Sequence, residues 1–182
     1  MGSKKNRKSR PKRLLTKPYC FVVEGCTEKD YIKLLKQIYK ASFGLKFEHG
    51  KGGSAKSVLE TAKKVIIDSE NEYQKIIIVF DSDRYNQKTD FNLYNSLIQN
   101  KNVEIFISMP CIENLLLAHF QAINCEEPDC KRCENKLKTY IKSYKKGDCG
   151  VLARYIKEDK IENAANNYPD FQPLIESFKS SR

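Results

Sequence analysis

Four acidic residues follow short apolar runs, and they are the residues of this chain best suited to chemistry. Asp81 and Asp83 come directly after the run KIIIVF at residues 75–80. Glu24 closes the run YCFVV, and Glu113 follows the run VEIFISM. Because alternate residues of an extended chain point to the same side, we expect the side chains of Asp81 and Asp83 to lie close together.

A cluster of these acids would need a cation. Carboxylates a few ångströms apart raise one another's pKa unless a positive charge lies between them. Oxygen ligands suit the hard cations Mg2+, Mn2+ and Ca2+ better than zinc, so we predict a Mg2+ or Mn2+ site among Glu24, Asp81, Asp83 and Glu113. Such a metal polarises a phosphoryl group, and a phosphodiester is the natural substrate of a basic chain. The alternative for each acid taken singly is a turn-forming or helix-capping role.

The elements that position the acids are apolar runs alternating with helical patterns. Strands are predicted at residues 19–25, 44–49, 75–80 and 103–109. This alternation predicts an α/β fold with a mostly parallel central sheet of about four strands flanked by helices. The continuous runs IIIVF and VEIFI are typical of buried central strands. Because ligands of such sheets bind beyond the carboxyl ends of the strands, the acids should meet at one edge.

The chain divides by pattern into three parts. Residues 1–17 form a basic arm, residues 18–120 the α/β domain, and residues 121–182 a helical C-terminal extension with a Cys-rich loop. In the domain, Thr27 is predicted to be the N-cap of the first helix, with Asp30 completing a capping box.

The net charge of +10 arises from 33 basic and 23 acidic residues, and the excess is concentrated in the arm. The arm contains Lys12 and Arg13 among its basic residues and no acid. Like charges keep such a segment unfolded until it meets an anion. We interpret it as a segment that contacts nucleic-acid phosphates, and the alternative is a solubilising tail.

Further phosphate contacts are predicted near the acidic site. Lys51, Lys56 and Arg84 lie in or beside the loops that reach this edge of the sheet. The Gly-rich sequence GKGGS at residues 50–54 offers backbone N–H groups at the start of a helix, although it lacks the spacing of a Walker A loop. Ordinary surface charge and a flexible connector are the alternatives.

Three cysteines, Cys125, Cys130 and Cys133, have the spacing C-x4-C-x2-C and suggest Zn2+. A structural zinc site normally has four ligands. The fourth would have to be Cys149, His119 or Cys111. Because nothing in the sequence selects one of them, plain loop cysteines are favoured over a zinc site.

The sequence also bears on location. No apolar run approaches the roughly 20 residues that span a bilayer, and the N-terminus lacks the apolar core of a secretory signal. We therefore expect a cytoplasmic protein with no membrane partner.

Three motifs give the chain a resemblance to known families. They read EGCTEKDY at residues 24–31, FDSDR at residues 80–84 and PCIENLLLAHF at residues 110–120. The first two resemble the motifs of the Toprim domain, found in topoisomerases, bacterial primases and OLD-family nucleases. All three together resemble the RloB family of prokaryotic, defence-associated, Toprim-like proteins. The chain departs from that pattern at Ile112, where an aromatic residue is usual, and it has no Trp.

The resemblance implies a Toprim-like Rossmannoid fold and a Mg2+-dependent nuclease that acts on RNA or DNA in anti-phage defence. It also implies an ATPase partner encoded nearby. By that likeness Glu24 would act in acid–base chemistry, Asp81 and Asp83 would hold the metal, and Glu113 would support the site. The alternative is a non-catalytic subunit that binds nucleic acid or a nucleotide and acts with the ATPase.

Overall fold

A parallel β-sheet forms the centre of the molecule. The computed structural model describes residues 16–50, 53–123, 129–147 and 150–180. The strands are β1 (Tyr19–Val23), β2 (Leu45–His49), β3 (Lys75–Asp81) and β4 (Val103–Ser108). They lie in the order β2-β1-β3-β4, and every neighbouring pair is parallel. The predicted α/β fold with a mostly parallel sheet of about four strands is confirmed.

Helices cover both faces of this sheet. The described helices are α1 (Cys26–Tyr39), α2 (Ala55–Asp68), α3 (Gln87–Ile98), α4 (Ile112–Ala118), α5 (Cys130–Tyr140), α6 (Leu152–Tyr155), α7 (Glu158–Asn167) and α8 (Gln172–Lys179). Helices α2 and α3 build one apolar core, and the other six contribute to the core on the opposite face. Cys130 and Cys133 therefore lie in a helix, and the prediction that they are loop cysteines is wrong.

The two central strands are apolar throughout because both of their faces are covered. In β3, Ile77 and Val79 pack into the core of α1 and α4, whereas Ile78 and Phe80 pack against α2 and α3. All four side chains are buried. By this alternation the next residue, Asp81, belongs to the face of α1 and α4.

Strand β4 is an edge strand, so its predicted central position is wrong. Glu104, the second residue of β4, is exposed, as is common in an edge strand. The side chain of Tyr168 covers the end of this edge. Its Oη accepts a hydrogen bond from Met109 N at 2.6 Å and lies 3.4 Å from Ile107 O, to which it donates.

Helix α1 begins at Cys26, directly after Glu24 and Gly25. Gly25 is its N-cap, and the Gly25 N–H donates to Glu28 Oε2 at 3.0 Å. Thr27 and Asp30 are thus not the capping pair, contrary to the prediction. A Cβ atom at residue 25 would lie 3.2 Å from Glu28 Oε2, so glycine lets this carboxylate approach the backbone closely.

The C-terminal helices share a core with the sheet. Phe178 of α8 stacks on Phe21 of β1, with 5.9 Å between ring centroids, and Phe171 lies 5.9 Å from the ring of Tyr31 in α1. Both Phe171 and Phe178 are fully buried. In the part of the chain described, none of the helices combines the length and apolar character needed to cross a membrane.

Candidate active site

The acidic residues meet where the strand order changes direction. From β1 the chain adds β2 on one side of the sheet and then β3 and β4 on the other. In open parallel sheets the crevice at this switch point is where ligands bind. Glu24 follows β1 and Asp81 ends β3, and the Asp81 N–H donates to Glu24 Oε2 at 3.4 Å.

Asp81 is held rigidly at the carboxyl end of β3, where the sequence predicts it. Its side chain is 3% exposed, and its Oδ1 accepts a hydrogen bond of 2.8 Å from the backbone N–H of Ile112 at the start of α4. One carboxylate oxygen is therefore used by the fold, and the other, Oδ2, lies 3.8 Å from Lys146 Nζ.

Glu113, in the first turn of α4, is as buried as Asp81. Its Oε1 accepts a hydrogen bond of 2.9 Å from Tyr144 Oη, and its side chain is 1% exposed. Glu113 Oε2 has no hydrogen-bond partner among the described residues. A buried carboxylate oxygen without a donor is costly, and it marks a place where a cation would be favourable.

Lys146 supplies positive charge to this site. Its Nζ lies 3.5 Å from Glu113 Oε2 and 3.8 Å from Asp81 Oδ2, and its side chain is 55% exposed. Partial burial alone would lower the pKa of Lys146, but the carboxylates of Glu113 and Asp81 outweigh this effect and raise it above its ordinary value.

Helix α1 positions the segment that carries Lys146. Gly147 N–H donates to Thr27 Oγ1 at 3.1 Å, and Gly150 N–H donates to Asp30 Oδ2 at 3.0 Å. Gly147 has a φ of +80°, a conformation in which glycine is favoured. The Thr and Asp of the EGCTEKDY motif thus fasten the segment to α1 rather than cap the helix.

The first motif, EGCTEKDY, and the third motif, PCIENLLLAHF, are joined deeper in the core. Tyr31 Oη lies 3.0 Å from His119 Nε2, and His119 Nδ1 lies 3.1 Å from Leu115 O. Burial lowers the pKa of His119 to about 4, so the ring is neutral and both of its nitrogens are used. His119 is a structural residue, and it is excluded as the fourth zinc ligand.

The site contains more carboxyl groups than ammonium groups. Burial raises the pKa of Asp81 from 3.8 to about 9, and the neighbouring carboxylates of Glu28 and Glu24 add to that rise. Burial likewise raises the pKa of both Glu24 and Glu28. Several acids grouped around the ammonium of Lys146 favour either protonation or a further cation.

Asp83 does not join this buried group. The chain leaves the extended conformation at Ser82 and forms a 3-10 turn over Ser82–Arg84. Asp83 is consequently exposed, whereas Asp81 is buried, so the prediction of an extended chain through Asp83 is wrong. Asp83 is at the rim, close enough to Glu24 that its charge helps to raise the pKa of Glu24.

Of the predicted phosphate-binding residues, the structure describes Arg84 and Lys56. Arg84 Nη1 donates to Gly53 O at 2.6 Å, so the arginine lies against the Gly-rich loop. Lys56 is an exposed residue in the first turn of α2, where Ser54 Oγ already accepts from Ser57 N. Lys12, Arg13 and Lys51 lie outside the described residues.

The cysteines form a second cluster beside the acids. Sγ of Cys130 is 3.5 Å from Asp83 Oδ2, and the thiols of Cys130 and Cys133 lie within hydrogen-bonding reach of Cys111. The Cys133 contact and burial raise the pKa of Cys111, and burial raises the pKa of Cys130 to about 11. Cys111 and Cys130 are free thiols. Cys125 and Cys149 lie outside the described residues, and zinc stays an untested alternative.

Sequence reasoning missed Glu28, and it considered the YKKGD segment at residues 144–148 only for phosphate binding, so it did not place Tyr144 and Lys146 beside the acids. Glu28 stands within EGCTEKDY, and its spacing from Gly25 is the usable signal, because an N-cap followed three residues later by Glu indicates a capping box. Tyr144 and Lys146 belong to YKKG, more than 30 residues after Glu113. No local pattern connects them to the acids.

The donor set is compatible with a hard divalent cation. It consists of carboxylate oxygens, and it includes Glu113 Oε2, which accepts no hydrogen bond from the described residues. Across residues 16–50, 53–123, 129–147 and 150–180, no three His, Cys, Asp or Glu side chains already converge as the ligands of a formed metal site do. In this arrangement the ammonium of Lys146 lies between Asp81 and Glu113.

The sheet and its acidic edge define a class before any relative is considered. They describe a Rossmann-like α/β protein with a carboxylate cluster at the topological switch point. The model of the RloB-like protein family matches residues 19–179, and the chain belongs to that family. No curated protein and no solved structure matches the chain.

Proposed function

We propose that this protein is a metal-dependent nuclease that hydrolyses phosphodiester bonds in RNA or DNA. The proposal rests on one observation. Three carboxylates at the switch point each have one oxygen fixed by a protein donor, namely Glu24 by Asp81 N, Asp81 by Ile112 N and Glu113 by Tyr144 Oη. Hydrogen bonds of this kind orient the ligands in metal sites. The three carboxylates are therefore oriented before a cation binds.

The roles follow from burial and position. Glu24 and Asp81 would hold a Mg2+ or Mn2+ ion, Asp83 would approach it from the rim, and Glu113 would complete the set. A bound divalent cation supplies Lewis-acid polarisation of the phosphoryl group. Glu24, whose pKa is raised by burial, is suited to exchange a proton with the attacking water. Arg84, exposed beside the Gly-rich loop, is suited to contact a phosphate.

Charge and family membership support the choice of substrate and setting. A chain with a net charge of +10 attracts a polyanion. The RloB-like family, together with the resemblance to Toprim domains, supports a role in anti-phage defence in the prokaryotic cytoplasm, with an ATPase as partner.

Cleavage should depend on a divalent cation. Full-length protein is incubated with end-labelled tRNA, single-stranded DNA and duplex DNA in the presence of Mg2+, Mn2+ or EDTA. We expect shortened products from at least one substrate with Mg2+ or Mn2+ and none with EDTA. Cleavage that persists in EDTA would overturn the metal mechanism, and the products would identify RNA or DNA as the substrate.

A second candidate is a non-catalytic subunit that binds nucleic acid or a nucleotide and acts with an ATPase. The observation in its favour is Lys146, which partly neutralises the acids with no metal. Tight, salt-sensitive binding without cleavage of any of the three substrates would favour this candidate.

The basic arm is expected to contact phosphates. Deleting residues 1–15 removes seven basic side chains. We expect weaker binding to duplex DNA and a flatter plot of log K against log salt, because every phosphate that the arm neutralises adds about 0.9 to the slope. Binding titrations from low to moderate salt measure the slope. A variant with a neutral Gly/Ser segment of the same length is the control, and an unchanged slope would make the arm a solubilising tail.

A further inference from the structure

We propose that Lys146 is an internal counter-ion that occupies the place of the divalent cation, so that metal binds by displacing its ammonium group. The inference rests on the proposed metal site. It concerns a residue of the YKKG segment that is far in sequence from the three motifs and reaches the site only through the tertiary fold.

The competition concerns two identified atoms. Asp81 Oδ1 and Glu113 Oε1 are fixed by Ile112 N and Tyr144 Oη, and the other two oxygens, Asp81 Oδ2 and Glu113 Oε2, are the ones nearest to Lys146. These two oxygens are the ones that Lys146 Nζ approaches, at 3.8 and 3.5 Å. A divalent cation that binds both carboxylates through these oxygens would compete with the ammonium for them.

The contacts of Lys146 are loose enough to be exchanged. Charge-assisted N–H···O bonds are typically about 2.7–2.9 Å long, and both distances from Nζ are greater. The ammonium therefore stabilises the site mainly through its charge. The distance between Mg2+ and a ligand oxygen is shorter still, at about 2.0–2.1 Å. The double charge of the cation at that distance attracts the carboxylates more strongly than the single charge of the Lys146 ammonium does at its longer distances.

Only the side chain of Lys146 has to move. Tyr144 is buried and bonded to Glu113, and Gly147 N–H is bonded to Thr27 Oγ1, so the backbone on either side of Lys146 is anchored. The Lys146 side chain itself is 55% exposed and has four rotatable bonds with an open path to solvent. The anchored backbone would return the displaced ammonium to the crevice when the metal leaves.

The test compares charge variants at one position. Lys146→Met removes the charge at similar length, Lys146→Arg keeps it, and Lys145→Met, at the exposed neighbouring residue, is the matched control. Mn2+ binding to the full-length proteins is measured by the EPR signal of free Mn2+, and the melting temperature is followed with and without Mn2+. No cleavage assay is involved.

For Lys146→Met we expect Mn2+ binding that is roughly 10- to 100-fold tighter than in the wild type, the range of typical coupling between sites. The variant should also melt at a lower temperature than the wild type without metal and gain more from added Mn2+. Lys145→Met and Lys146→Arg should bind Mn2+ as the wild type does. If Lys146→Met fails to fold, Lys146→Gln serves in its place, with the same expected direction.

Each contrary result has a distinct meaning. Mn2+ binding that is unchanged or weaker in Lys146→Met, while the wild type binds Mn2+ normally, would overturn the displacement and leave the proposed metal site intact. Absence of Mn2+ binding in the wild type and in every variant would overturn both the displacement and the metal-dependent function.

Discussion

Replacing Asp81 with Asn is expected to lower the rate of metal-dependent cleavage by about 10³-fold, equal to about 4 kcal/mol, and at the same time to stabilise the metal-free protein at pH 8. The loss of rate follows because an amide is a weaker ligand and carries no charge for the cation. Asn retains an oxygen that can accept the hydrogen bond from Ile112 N. The fold is therefore preserved while the chemistry is lost.

The gain in stability follows from the raised pKa of Asp81. Its pKa is about 9 in the folded, metal-free protein against an ordinary value of 3.8. Below pH 3.8 the carboxyl is protonated in both the folded and the unfolded chain, so its titration does not change the free energy of unfolding. As the pH rises towards 9 the unfolded chain loses this proton and the folded chain keeps it, so the free energy of unfolding falls. A neutral Asn avoids this loss, which we expect to be on the order of a few kcal/mol at pH 8.

Melting curves of both proteins in EDTA from pH 5 to pH 9 measure this effect. The difference in melting temperature between Asp81→Asn and the wild type should grow as the pH rises. Glu24 and Glu28 remain in both proteins, so the effect of their titration largely cancels in the difference between the two melting temperatures. Asp68→Asn, at an exposed position on α2, is the control and should change neither stability nor cleavage. Full activity in Asp81→Asn would remove this residue from the mechanism.

The sequence was sufficient to predict the position of site residues that lie directly at the end of a strand. The run KIIIVF predicts a buried strand, and a strand of a parallel sheet must end at the carboxyl edge, so the position of Asp81 followed from local pattern alone. Glu24, which directly follows β1, was predictable by the same reasoning, whereas Glu113 lies beyond the end of β4 in the first turn of α4. Asp83 was not, because the extended chain ends at Ser82 and the direction of a side chain beyond a strand depends on the turn.

Errors elsewhere have equally physical causes. The order of strands in the sheet cannot be derived from their apolarity, which is why β4, at the edge, was predicted to be central. Thr27 has the chemistry of an N-cap, but its hydroxyl is used by Gly147 in a contact across 120 residues. Lys146 reaches the acids because Thr27 and Asp30 hold its segment, and such long-range contacts leave no periodic signal in the sequence.

The largest effect on stability is expected at the junction between the sheet and the C-terminal helices. Phe171 is fully buried, and its ring centroid lies 5.9 Å from that of Tyr31, 6.3 Å from that of Phe106 and 6.2 Å from that of His119. We expect Phe171→Ala to lower the free energy of unfolding by about 3–5 kcal/mol, because the ring fills a space that the neighbouring side chains cannot close.

Chemical denaturation of the metal-free protein measures the change, and a drop in melting temperature of roughly 10 °C should accompany it. Phe91→Ala is the matched control, since Phe91 is 53% exposed on α3 and its removal should lower the free energy of unfolding only slightly.

Tyr31 and His119 join the first and third motifs, so loosening their contact with Phe171 should also lower cleavage at temperatures near the melting point of the variant. If Phe171→Ala costs no more than Phe91→Ala, the helices after residue 120 add little to the core. The domain boundary predicted there would then separate two independent units rather than two parts of one core.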